Sequence, residues 1–88
     1  MAIEIEFTAR YLKQACGLQK DQRKKLAELL IFLSRDPFHP ILHSKKLSGS
    51  LSGYYSFRIN RDNRVIFSYK NRKKIVLVRV KHRKAVYR

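Results

Sequence analysis

The chain opens with alternation. Ile3, Ile5 and Phe7 are separated by Glu4 and Glu6, which predicts a strand with one buried face. Thr8 is placed to cap a helix running from about Ala9 to Cys16, with Gly17 ending it. Asp21 opens a second helix. In it Leu26, Leu29, Leu30 and Leu33 recur at helical spacing, and Ile31 and Phe32 widen the apolar stripe. The pair Asp36-Pro37 stops this helix, because a residue before proline avoids the α region, and Arg35 to Pro40 reads as a loop.

The second half changes period. Gly49 and Gly53 mark turns after Lys46. Tyr55, Phe57 and Ile59 then alternate with Ser56, Arg58 and Asn60, and after a turn at Arg61-Asp62-Asn63 the residues Val65, Phe67 and Tyr69 alternate again. This is the pattern of a β-hairpin. Lys70 to Lys74 reads as a basic turn. Ile75 to Val80 is an almost unbroken apolar run, as expected of a central strand covered on both faces. The predicted fold class is α+β, ordered β-α-α-β-β-β with a possible extra short strand near Leu47. Two N-terminal helices would pack on one face of a mostly antiparallel, twisted sheet, leaving the arginines on the other.

At 88 residues the chain is expected to form one domain, 1–88, with a modest core. No run approaches the ~20 apolar residues of a membrane helix, and the acidic–apolar start lacks the features of a secretory signal. A cytoplasmic protein is expected. Cys16 is the only cysteine, so no internal disulfide can form. A half-buried structural thiol is its expected role.

Charge changes the picture most. Lys and Arg number 21 against 6 Asp and Glu, a formal +15. From Pro37 onward the only acid is Asp62, while Lys45 to Arg88 holds 14 basic residues. A field of one sign repels itself and attracts polyanions. Nucleic acid is the first partner it implies, an acidic protein the second. An anionic membrane ranks below both, for want of a basic amphipathic helix with an aromatic face. The start of the second helix is basic too, with Lys20, Arg23, Lys24 and Lys25. Cations there oppose the helix dipole: either they serve another purpose, or the global charge bias overrides the local preference.

No P-loop or GxGxxG occurs, and His39, His43 and His82 lack the context of a metal site. The basic half holds no pair of acids for two-metal nuclease chemistry. No cofactor and no metal are expected. Arg, Lys, His and Tyr remain, and such a set can cleave RNA without metal. The ribose 2′-OH attacks the adjacent phosphate, given cations on the phosphorane oxygens, a base for the 2′-OH and an acid for the leaving oxygen.

The stretch LSGSLSGYYSFRINRDNRVIFSY followed by IVLVRVKHRKAVYR resembles RelE/ParE-superfamily toxins. The shared features are a Leu-x-Gly approach to a Tyr-x-x-Arg-Ile strand, then Arg-Val-Ile-Phe, then an apolar strand ending in His-Arg-x-x-x-Tyr. With the N-terminal β-α-α order, the resemblance covers nearly the whole chain. It implies a RelE-like fold, a type II toxin–antitoxin toxin, an acidic antitoxin partner, and cleavage of mRNA in the ribosomal A site. The alternatives are a ParE-like DNA gyrase inhibitor and a non-catalytic RNA- or ribosome-binding module.

By the same resemblance, Arg64 would stabilise the phosphorane and Arg58 would bind phosphate or shift the 2′-OH proton equilibrium. His82 would transfer a proton, Arg83 would contact phosphate, and Tyr87 would stack on a base or assist proton transfer. Ser56 stands where the best-known RelE enzymes carry a second lysine, a departure that bears on the acid–base chemistry. Lys45, Lys46, Arg61, Lys73, Lys74, Lys81 and Lys84 are expected to grip RNA, the ribosome or the antitoxin. Tyr54, Tyr55 and Tyr69 are expected to pack. His43, just before Ser44-Lys45-Lys46, has two readings, a residue that reaches the cleft and a loop histidine, and the second is preferred.

Overall fold

A computed structural model describes residues 2–82. Strand β1 (Glu4–Phe7) leads into helix α1 (Ala9–Cys16) and helix α2 (Lys20–Arg35). A 3-10 turn at Pro40–Leu42 precedes a two-residue strand, β2 (Lys45–Lys46), and a second 3-10 turn at Gly49–Leu51 precedes β3 (Tyr55–Arg58). Strands β4 (Asn63–Asn71) and β5 (Lys74–His82) form the long hairpin that follows. The five strands make one sheet in the order β1-β5-β4-β3-β2. Its pairings are antiparallel except for β1 with β5, which is parallel. The α+β class and the mostly antiparallel sheet follow the predicted pattern, and β2 is the short extra strand beside Leu47.

Both helices contribute to one core. Tyr11 of α1 and Leu26, Leu29 and Leu33 of α2 pack with Phe57, Val65, Phe67, Ile75, Leu77 and Val80 of the sheet. Thr8 caps α1 by accepting from the Tyr11 amide at 3.0 Å, and its hydroxyl donates to the Val78 carbonyl at 2.6 Å. Where β1 stops, α1 takes over the edge of β5: the Val80 amide donates to Gln14 Oε1 at 2.8 Å. Backbone groups left open by the short edge strand are thereby satisfied.

Several details differ from the expected pattern. Phe7 is 51% exposed, not inward like Ile5, and stacks on the Tyr11 ring at 6.0 Å. Ile31 faces out from α2, so the apolar stripe is narrower than its sequence suggests. Cys16 is exposed, because it sits on the outer side of α1's last turn. Gly17 ends α1 in an ordinary right-handed conformation (φ −81°). The basic turn is shorter than Lys70 to Lys74, since β4 runs on to Asn71.

The apolar run in β5 has a different origin from double coverage. Phe67 pairs with Leu77 and Ile66 with Arg79, so Val78 is an extra residue, a β-bulge. A bulge shifts the alternation by one. Ile75 and Leu77 face the core before it and Val80 after it, while Val76 and Val78 are half-buried.

Candidate functional site

Strand pairing places the cations. Directly paired residues share a face of the sheet. The rows Phe57–Val65–Val80 and Tyr55–Phe67–Leu77 lie in the core, so the alternating rows lie on the face away from the helices. One of these is Arg58–Arg64–Lys81, on three adjacent strands. The next is Lys45–Ser56–Ile66–Arg79. These two rows carry five cations and no acid. Lys45 stands opposite Ser56, so a lysine reaches this row from β2 rather than from β3.

Beside the Arg58–Arg64 end is a cavity of about 570 Å³, lined by Lys25, His43, Arg58, Asn60, Arg61 and Arg64, with Ile41 and Ile59 as its apolar wall. Strand β2 pairs only with Tyr55 and Ser56, which leaves the rest of β3 unpaired on that side and facing the loop that carries His43. Asn60 shapes the β3–β4 turn, its Oδ1 accepting from the amides of Asp62 at 2.9 Å and Asn63 at 2.8 Å. This holds Arg61 and Arg64 at the two ends of a defined turn. The fully buried Leu42 anchors the other wall. After it His43 adopts a left-handed backbone (φ 49°, ψ 44°), and the Ser44 hydroxyl ties the loop back to the Pro37 carbonyl at 2.6 Å.

Arg58, Arg61 and Arg64 thus converge on one cavity, with Lys81 and Lys45 on the adjoining face. Lys46 pairs with Tyr55 and lies on the helix side. Lys74 begins β5 at its far end, about 23 Å from Lys81 at ~3.3 Å per residue, and Lys73 lies in the turn before it. There Lys74 binds Glu6 at 3.1 Å and Glu4 at 4.0 Å. The Lys74 ammonium holds the Glu6 carboxyl below the usual carboxylate range, and Glu6 in turn raises Lys74. His82 pairs with Asn63, whose side chain donates to Gln22 of α2 at 2.9 Å. His82 therefore lies on the side opposite Arg64. Arg83, Lys84 and Tyr87 are outside the described residues.

Two titratable residues that line the cavity, Lys25 and His43, are not among the site residues expected from the sequence. Lys25 belongs to the basic start of α2 that opposes the helix dipole, and that conflict was the available signal. His43 precedes Ser-Lys-Lys and read as a loop histidine. Of the tyrosines, Tyr55 packs on Phe67 at 5.6 Å, while Tyr54 and Tyr69 are partly exposed. Among the described residues, no three of His, Cys, Asp or Glu cluster to hold a metal ion, and no helix is long and apolar enough to cross a membrane.

Residues 9–84 match the family model described as the YoeB-like toxin of bacterial type II toxin–antitoxin systems. A Synechocystis protein named Toxin YoeB is 33% identical over 78 residues, covering 85% of this chain and 91% of that protein. Among solved structures, the archaeal RelE–RelB complex from Pyrococcus horikoshii contains a chain of TM-score 0.79 and 25% identity, covering 94% of this chain and 97% of that one. The heterotetrameric YoeB–YefM toxin–antitoxin complex from Staphylococcus aureus gives a TM-score of 0.76 and 27% identity, covering 93% and 98%.

Proposed function

The chain belongs to the YoeB-like toxins of bacterial type II toxin–antitoxin systems, and from that premise we propose that it is a metal-independent endoribonuclease that cuts mRNA in the ribosomal A site. The observation that carries the reading is the row Arg58–Arg64–Lys81. Like charges placed directly opposite one another destabilise a sheet, and three in a row on one face favour a bound anion. A phosphodiester supplies it.

In this reading the scissile phosphate sits over Arg64 and Arg58. The 2′-oxygen attacks phosphorus, the bond to the 5′-oxygen breaks, and the products are a 2′,3′-cyclic phosphate and a free 5′-hydroxyl. The two guanidiniums stabilise charge as it develops on the non-bridging oxygens, an effect worth about 3–4 kcal/mol per donor in comparable sites. Lys45, Arg61 and Lys81 extend the cationic track for neighbouring phosphates. Tyr87 would stack on a base or assist proton transfer, and Arg83 and Lys84 would add phosphate contacts.

The partner is an acidic antitoxin. The P. horikoshii and S. aureus toxins were solved with RelB and YefM, and the +15 charge of this chain suits an acidic segment. The test of the activity is brief induction of the chain in cells, followed by mapping of new RNA 5′ ends. Cuts inside translated codons, lost in Arg64→Ala and in Tyr87→Ala, are the expected result. Growth arrest without such cuts would replace this reading with gyrase inhibition. Survival without cuts would leave a binding module.

A further inference from the structure

The cavity beside Arg64 contains one side chain whose chemistry differs from the rest. Lys25 from α2, Arg58 from β3, Arg61 from the β3–β4 turn and Arg64 from β4 all line it. An ammonium or guanidinium group has hydrogens to donate and no acceptor. Asn60 Oδ1 is already committed to two backbone amides. Among the described residues that line the cavity, the His43 imidazole is the remaining proton acceptor, and imidazole is the side chain that exchanges protons near neutrality.

Its placement is over-determined. Leu42, immediately before it, is fully buried, the His43 amide donates to the Pro40 carbonyl at 3.2 Å, and Ser44 is bonded back to Pro37. Among the described residues His43 is the only non-glycine with positive φ. A residue held in that region rather than replaced by glycine invites a functional reading. His82, the histidine assigned to proton transfer by resemblance, lies on the other side of the sheet, with Asn63.

We propose that His43 is the general base of this toxin, accepting the 2′-OH proton of the nucleotide bound in the Arg58–Arg64 cavity. The inference rests on the ribonuclease reading. The imidazole takes the proton as the 2′-oxygen bonds to phosphorus. The phosphorus–5′-oxygen bond breaks, and the departing oxygen takes a proton from water. The protonated imidazole then returns its proton to solvent.

The test compares the purified full-length chain, freed of antitoxin, with His43→Asn and Arg64→Ala on ribosomes programmed with a short mRNA, in single turnovers from roughly pH 5 to 9. Asparagine tolerates the left-handed backbone but does not titrate, and equal thermal melting confirms that the variant is folded. The wild-type rate should climb with pH through an acidic limb. His43→Asn should run about 10²–10⁴-fold slower and lack that limb, and His43→Gly should regain rate with added imidazole. A His43→Asn protein that cleaves like wild type, or that is slow but keeps the acidic limb, overturns the proposal. If Arg64→Ala abolishes cleavage in that case, the ribonuclease reading survives without His43. If the wild-type chain cleaves nothing, both readings fall.

Discussion

Arg58 and Arg64 stand directly opposite each other on β3 and β4, both half-exposed, on the face of the sheet turned away from the helices. Cross-strand like charges cost roughly 0.2–1 kcal/mol. Replacing Arg64 with alanine should therefore leave stability unchanged or slightly raised. Cleavage should fall about 10²–10³-fold, the effect of removing one donor to a developing oxyanion. Urea melts and single-turnover cleavage of the same preparations separate the two effects. A large loss of stability would mean that Arg64 holds the fold rather than the substrate.

The cationic track predicts a salt dependence. Affinity for single-stranded RNA should fall linearly on a log–log plot against salt, and each phosphate contact should contribute about 0.7 to the slope. Lys45→Gln and Lys81→Gln, on the same face as Arg64, should each lower the slope by about that amount. Lys74→Gln should not, because Lys74 is paired with Glu6 at the far end of β5. Binding titrations at several salt concentrations check this.

Thr8 joins two elements through one hydroxyl: it caps α1 and bonds to β5 beside the bulge. Thr8→Ala should cost about 1–2 kcal/mol, and Thr8→Ser should recover most of it. Chemical denaturation gives both numbers. An alanine variant as stable as wild type would show that neither bond contributes.

Tyr11 predicts a loss of stability at high pH. Burial pushes its phenol from 10.0 up to about 12. A group raised in the folded state contributes fully below its unfolded pKa, and the contribution fades as pH rises through the folded value. The loss should therefore fall between about pH 10 and 12 and amount to ~3 kcal/mol at most. Tyr11→Phe should match wild type at neutral pH and lack this component of the decline. Parallel denaturation curves across that range decide it.

Local pattern carried much of the fold. The cap at Thr8, the bounds of α1 and the leucine stripe of α2 were legible because each depends on neighbours within one helical turn. Phe7 was not. Strand alternation pointed it inward, but β1 ends there, and the ring is instead taken up by Tyr11 one helical turn into α1. The bulge at Val78 was equally hidden. A run of apolar residues does not reveal which one is unpaired, yet that residue decides whether Lys81 or His82 shares a face with Arg64.

By itself the sequence determined the excess of positive charge, the order of helices and strands, and the motif that resembles RelE/ParE toxins, since all three are properties of composition and short-range spacing. Tertiary structure alone decided which side chains meet. Lys25, His43, Arg58 and Arg64 come from a helix, a loop and two strands, and nothing in their spacing announces a common cavity. Their convergence depends on the β3–β4 register, on the shortness of β2, and on the anchoring of Leu42. These are long-range contacts, formed only when the two halves of the chain pack together.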